Sequence, residues 1–296
     1  MDEQQLKDYE KACTAAAEAL NYGRGLIKQK TYLLDTIEKI EDYILKKKVG
    51  LAFPAQISPN HIAAHFYPAY DDKTIFEDQL LKLDIGVEVN GYIGDNACTV
   101  DLSGNYSDLV KASEDALKNS ISIIKDGITL GEIGKAIQDS ITKYGFLPVR
   151  NLGGHGLEQY EIHAKPSIPN IANNDIEKLA KGQIIAIEPF ASMGAGIVVE
   201  TANNQLFQLL HPKPVRDPTT RAVLDLIMGY NGLPFAKRWL LRDFPEFKVN
   251  LALKNLLNLE ILREYPPLAD KSKGFISQAE HTLIVEEDKA RILTRF

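Results

Sequence analysis

The chain has 296 residues, 45% of them hydrophobic and 25% charged, and its 34 basic against 40 acidic residues give a formal net charge of −6. That length suits one large domain or two ordinary ones, and it buries roughly 75% of the unfolded surface without a disulfide framework or structural metal. The composition excludes a disordered or collagenous chain, and the acidic balance, with no basic block longer than Lys46-Lys47-Lys48, leaves no footprint for a nucleic-acid backbone.

In chain order, the charged N-terminus reads as a helix and not as a signal peptide. Leu6, Tyr9, Cys13, Ala16, Ala17 and Leu20 recur at three- and four-residue steps and predict a helix over 3–30. A second follows over 33–48, with Ile37, Ile40 and Ile44 on one side and lysines in its last turn, where the helix dipole favours cations. Residues 80–102 change to two apolar strands about Asn90-Gly91, a hairpin signal. Helical periodicity returns over 107–125 and 130–143 and stops at Gly145. Glycine-rich strands follow over 150–170 and 182–200. Short amphipathic helices are expected over 212–265, before Pro266 and Pro267, and strands beyond. The expectation is an α+β domain over 1–211 and 266–296, with antiparallel strands and flanking helices, interrupted by a helical insertion over 212–265. No stretch is long and apolar enough for a bilayer, since the most apolar, 184–199, contains Glu188 and Pro189. Two cysteines, Cys13 and Cys98, make no disulfide framework and fit a reducing cytoplasm.

Acidic residues inside apolar strands are the informative ones, because an unpaired charge is costly to bury. Asp84, Asp95, Glu188 and Glu280 all sit in such strands, with no matching set of arginines or lysines nearby in sequence. A two-residue Asn90-Gly91 turn places Val89 opposite Tyr92 and Gly86 opposite Asp95. Asp84 and Asp95 then leave the same face as diagonal neighbours, within about 7–8 Å at the backbone. Two such carboxylates can share a metal; they serve equally well as ion-pair or edge residues, and the strand pattern leaves both open. His155 in GGHG and His163 in YEIH lie beside glycine-rich strands, and His65 in IAAHFYP is a further candidate; His61, His211 and His281 read as bystanders. Four carboxylates and an imidazole suit Mn, Fe, Co or Zn in an oxygen-rich site. The GxSxG, GxxxxGK[ST] and HExxH patterns are absent, and nothing near Cys98 in sequence would activate its thiol.

The series Asp84, Asp95, His155, Glu188, Glu280 resembles the metal ligands of the methionine aminopeptidases. The strings LAFPAQISPNHIAAHFYP, KLDIGVEVNGYIGDNACTV, NLGGHGLEQYEIHAKPSIPN, AIEPFASMGAG, LPFAKRWL and YPPLADKSKGFISQAEHTLIV are similar to the type 2 branch, in order over residues 50–285. The resemblance is expected to be to archaeal members, whose chains start directly at the catalytic domain. The resemblance implies a pseudo-two-fold pita-bread fold, with 212–265 as a winged-helix-like insertion and two divalent metals per chain. Asp84 would hold one metal, Asp95 and Glu280 would bridge both, and His155 and Glu188 would complete the second. Glu188 would shuttle a proton, His163 would donate to the carbonyl oxygen and His65 would lie near the scissile amide. Phe53, Ile162, Phe190 and Tyr265 would line a methionine pocket. The implied substrate is the initiator methionine of nascent chains with a small second residue, met by a cytoplasmic monomer in transient contact with the ribosome. No membrane or specific nucleic acid is implied. Lys165 and His61 depart from the family pattern and are expected at the cleft mouth, where they would alter substrate preference. Xaa-Pro peptidases and metal-free RNA- or ribosome-binding relatives share the fold; the FPxxxSxNxxAAH and YPPL strings disfavour the first, and the five ligands and acidic charge the second.

Overall fold

The computed structural model of the chain describes residues 1–295. Asp2 accepts from the Gln5 amide while its own N–H donates to the Gln5 side chain, and this reciprocal cap opens α1 (Glu3–Leu26). The helix ends short of the expected span because the chain turns through Lys30, at φ +67°, into a bridge between Tyr32 and Ile75. In α2 (Leu33–Lys46), Ile37, Ile40 and Ile44 are fully buried, as their spacing predicts. The short strands β1 (Gly50–Leu51), β2 (Gln56–Pro59) and β3 (Ile62–Ala64) precede the hairpin of β4 (Leu80–Val89) and β5 (Tyr92–Asp101). Asn90 at φ +54° and Gly91 at φ +86° supply the two left-handed positions that a tight hairpin turn needs. The register follows from that turn: Val89 faces Tyr92 and Gly86 faces Asp95.

Two further helices, α3 (Ser107–Ile123) and α4 (Leu130–Thr142), lead into the second run of strands. These are β6 (Leu147–Pro148), β7 (Gly153–Glu158), β8 (Glu161–Pro169), β9 (Ile184–Ile187), β10 (Phe190–Ser192), β11 (Val198–Glu200) and β12 (Leu206–Leu209). Next come α5 (Pro218–Met228), β13 (Phe235–Ala236), α6 (Lys237–Leu240) and α7 (Glu246–Asn258). The chain returns through β14 (Leu262–Tyr265), β15 (Leu268–Asp270), β16 (Ile276–Gln278), β17 (Glu280–Val285) and β18 (Ala290–Ile292).

The main sheet runs β1-β4-β5-β17-β9-β7-β8, with β2 also on β4 and β18 on β17, and its pairings are antiparallel. Period-two alternation sorts its faces. Leu81, Leu83, Ile85 and Val87 of β4 pack with α1 and α2. Leu283 and Val285 of β17 and Ile185 and Ile187 of β9 pack with α3 and α4. At Gly94 a Cβ would meet the Cys13 backbone at 2.5 Å, so α1 lies directly on β5. With one face covered by helices, Asp84, Asp95, Glu280 and their neighbours leave the other.

Residues 206–262 gather a small core of their own around Phe207, Phe235, Trp239 and Leu253. The segment carries the expected helices and, in addition, a three-stranded sheet ordered β13-β12-β14. It is pinned to the rest by a buried ion pair: both Arg238 terminal nitrogens donate to the Glu41 carboxylate of α2. Trp239 Nε1 (3.0 Å) and the Ala55 N–H (3.2 Å) donate to the same group. Among the described residues no helix is long and apolar enough to cross a membrane. Removing one partner of such a pair leaves a buried charge uncompensated. Arg238→Met is therefore expected to cost about 3–5 kcal/mol in urea denaturation; a loss below about 1 kcal/mol would contradict this role for the pair.

Candidate metal centre and active site

Register brings four acidic residues and one imidazole together on the open face of the main sheet. Asp84 and Glu280 both pair with Ala97, so the three form one row across β4, β5 and β17. Asp95 lies two residues from Ala97, and the Thr282 hydroxyl both accepts from its N–H (2.8 Å) and donates to its C=O (2.7 Å). Ala186 faces Thr282 on one side and His155 on the other, which completes a second row. Glu188 follows β9 directly. One ligand atom from each of Asp95, His155 and Glu280 lies within 4.8 Å of the other two. His155 Nε2 stands 3.8 Å from Glu188 Oε1 and 4.0 Å from Asp95 Oδ2.

This constellation is electrostatically unbalanced. Asp84, Asp95, Glu280 and His155 are buried, and among the described residues no lysine or arginine forms an ion pair with any of the four carboxylates. Asp84 Oδ1 and Asp95 Oδ1 have no hydrogen-bond partner at all. Burial, and the carboxylates' action on one another, push the carboxyl groups of Asp95, Glu188 and Glu280 well above their usual range; burial alone raises Asp84. Burial, and then the charge of His163, push His155 down to about 3, so its ring is neutral at pH 7. A neutral imidazole and carboxylates with free buried oxygens are the donor set a divalent cation needs.

The cluster forms the floor of a cleft of about 680 Å³. Each remaining sequence candidate lines this cleft: His65, His163, Phe53, Ile162, Phe190 and Tyr265. Phe53, Ile162 and Phe190 are buried and form an apolar wall, with the Phe53 ring occupying the space a side chain at position 86 would need. His163 is exposed to the cleft, its ring edge-on to His155 at 4.7 Å. The protein packed around the cleft-facing ring removes part of its water, and this, then the charge of Arg263, lowers its pKa. His65 holds φ +61°, a left-handed conformation that costs a residue with a Cβ about 1–2 kcal/mol, and its ring meets Tyr265 edge-on at 5.4 Å. Burial pushes His65 down to about 4.

Two residues that the motifs did not single out complete the site. The Gln278 amide nitrogen stands 3.4 Å from an oxygen of each of Asp84, Glu188 and Glu280. Gln56 donates to Asp84 at 3.0 Å and accepts from the His65 N–H. Position 278 precedes Glu280 by two, the strand period, and that was the available signal. Lys165 and His61 do not line the cleft, contrary to the expectation for its mouth. Lys165 faces a groove beside Tyr9 and Tyr92. His61 lies in the β2–β3 turn, where its carbonyl accepts from the Asp270 N–H.

Comparison with known proteins agrees with this chemistry. Residues 7–210 match the model of metallopeptidase family M24. A methionine aminopeptidase of Archaeoglobus fulgidus is 41% identical over 297 aligned residues, covering 100% of both chains. One of Thermococcus onnurineus is 45% identical, covering 91% of this chain and 92% of its own. The solved methionine aminopeptidase of Thermotoga maritima superposes with a TM-score of 0.74 at 23% identity, covering 100% of this chain and 98% of that one. The chain belongs to metallopeptidase family M24, and within it to the methionine aminopeptidases, metal-dependent hydrolases with the pita-bread fold.

The raised carboxyl groups bind protons more tightly in the folded state than in the unfolded one, so their contribution to stability falls as pH rises from about 4 toward their folded values. In chelator, Tm is expected to drop between pH 5 and pH 7, and Asp95→Asn to flatten the drop. Added Mn should raise Tm more at pH 7 than at pH 5, because deprotonated ligands bind it. Thermal melts with an equal increment at both pH values would contradict the assignment.

Proposed function

We propose that this aminopeptidase acts as a type 2 enzyme, releasing the N-terminal methionine of nascent polypeptides whose second residue is small. The observation that carries this reading is the convergence of Asp95, His155 and Glu280, with Asp84 and Glu188 beside them, at the floor of a cleft walled by Phe53, Ile162 and Phe190. The unbranched, polarizable methionine side chain suits such a wall. Tyr265 closes the same pocket. Residues 212–265, read as a winged-helix-like inserted subdomain, supply Tyr265 and Pro234 to the cleft. The free thiols of Cys13 and Cys98 support a cytoplasmic setting. A nascent substrate implies transient ribosome contact, and the working unit is read as the monomer.

Two divalent metals are proposed, and Asp84, Asp95, His155, Glu188 and Glu280 are the residues that would hold them. When bound, such ions lower the pKa of water toward ~7 and polarise the scissile carbonyl. The chain's own groups manage protons and charge. Glu188, the most accessible of the four carboxylates, takes the proton from the attacking water and returns it to the leaving amide nitrogen. His163, neutral at pH 7, donates an N–H toward the carbonyl oxygen as negative charge grows there. His65, held by Gln56 and Tyr265, faces the scissile amide. Gln278 spaces the carboxylates and fixes their orientation through its single amide group.

Methionine release from Met-Ala-Ser by chelator-stripped protein, titrated separately with Mn, Co, Fe and Zn, tests the whole reading. Release should return with metal and vanish in Glu280→Ala. Inactivity with every ion would sink it, and hydrolysis of Xaa-Pro peptides instead would favour the other activity of this fold. Glu188→Gln is expected to lower kcat by roughly 10²–10⁴-fold, the usual worth of a general acid–base. His163→Ala is expected to lower it by roughly 10²–10³-fold, the worth of one donor to a developing oxyanion. Unchanged kcat in either variant would remove that residue from the chemistry.

A further inference from the structure

A second recess, of about 360 Å³, adjoins the catalytic cleft and shares Ile162, His163, Pro234 and Tyr265 with it. Gln208 and Arg263, which face each other across β12 and β14, line its other side. The Arg263 guanidinium is anchored there without being neutralised. Its Nε (2.9 Å) and Nη2 (2.6 Å) both donate to Gln208 Oε1, and its Cζ lies 4.6 Å from the centre of the Tyr265 ring. Gln208 is itself fixed, accepting from the Tyr265 hydroxyl at 2.5 Å and donating to the Gly232 carbonyl at 2.7 Å. Among the described residues Arg263 forms no ion pair, and Glu161, which lines the same recess, does not reach it. An amide and an aromatic face thus hold one arginine in place with its charge unspent, and its remaining N–H groups are free for an anion.

The charge is also positioned to act on substrate. Arg263 lines the same recess as His163, and His163 stands beside the metal cluster at 4.7 Å from His155, ring to ring. A peptide whose scissile carbonyl meets His163 continues past it in extended form, advancing about 3.3 Å per residue. The recess opens from the cleft beside His163, within reach of such a chain. We propose that this recess binds the third residue of the substrate, and that Arg263 makes the enzyme favour an acidic side chain there. The inference rests on the aminopeptidase reading and adds to it a second determinant of substrate choice, next to the methionine pocket and sharing Ile162 and Tyr265 with it.

The test compares Met-Ala-Asp-Gly, Met-Ala-Ser-Gly and Met-Ala-Lys-Gly, all C-terminally amidated so that no terminal carboxylate competes. Metal-loaded wild type should show a KM for the Asp peptide about two- to five-fold below that for the Lys peptide, the range expected of one solvent-facing ion pair. The kcat values should agree, and the difference should shrink at 1 M salt as the Debye length falls to about 3 Å. Arg263→Glu should invert the order of KM, and Arg263→Gln should level it; circular dichroism on both variants separates this from misfolding, and Arg263→Gln alone decides if Arg263→Glu does not fold. Arg150, which lines the catalytic cleft and not the recess, is the control. An order that survives both Arg263 substitutions, or one that inverts in Arg150→Glu instead, overturns the inference while leaving the aminopeptidase reading intact. A wild type that releases methionine from none of the peptides defeats both.

Discussion

Four carboxylates drawn together in a low-dielectric floor, with a neutral imidazole and no cation to balance them among the described residues, set the terms for everything else in this molecule. The sheet alone cannot satisfy them: Asp84 and Asp95 each keep a buried oxygen without a partner, and the sole amide spanning three of the carboxylates, that of Gln278, is 3.4 Å from each. Such a site is destabilising to the protein by itself and becomes favourable through a cation, so folding and cofactor binding are linked quantities here. The two helix pairs that cover the reverse face supply the apolar burial that offsets this cost.

The same constraint organises the cleft. Because the charged floor is rigidly registered on strands, specificity is left to what surrounds it. Apolar rings on one side and the His65–Tyr265–Gln208–Arg263 chain of contacts on the other shape the walls. That second wall comes from a segment with its own core, and it keeps its position because Glu41 receives Arg238, Trp239 and the Ala55 amide together. Chemistry is thus fixed by one sheet, and substrate preference by what is docked against it.

Much of this was legible in the residues. Asn90-Gly91 dictated the hairpin register, and register alone placed Asp84 and Asp95 on one face, as the strand period requires. Acids inside apolar strands marked the floor, and Lys82, the one base two positions from Asp84, is taken up by the Asn60 carbonyl. The five-residue series then matched the order of the ligands of a known family. What stayed hidden depended on long-range contacts. Gln278 and Gln56 are polar residues whose importance comes from partners on other strands, and only the two-residue step from Gln278 to Glu280 hints at either. The small sheet around β12 was masked by the helical periodicity on either side of it. Lys165 and His61 were expected near the substrate because their neighbours in sequence are, but alternation and the β2–β3 turn carry them elsewhere. Helix ends were set by left-handed turns such as Lys30, which hydrophobic spacing does not report.

The two-row arrangement on the main sheet has a consequence for the history of the chain. Asp84, Asp95 and Glu280 share a face only because the β4–β5 connection holds two residues and the strands stay in step. Inserting a single residue there without a compensating bulge would turn one aspartate toward α1, into the packing around Cys13 and Ala16. Connecting turns ordinarily drift in length with little penalty, yet this one, packed against Gln159 and Tyr160 and away from the ligands, is bound by the same selection as the ligands themselves. Its length is part of the active site.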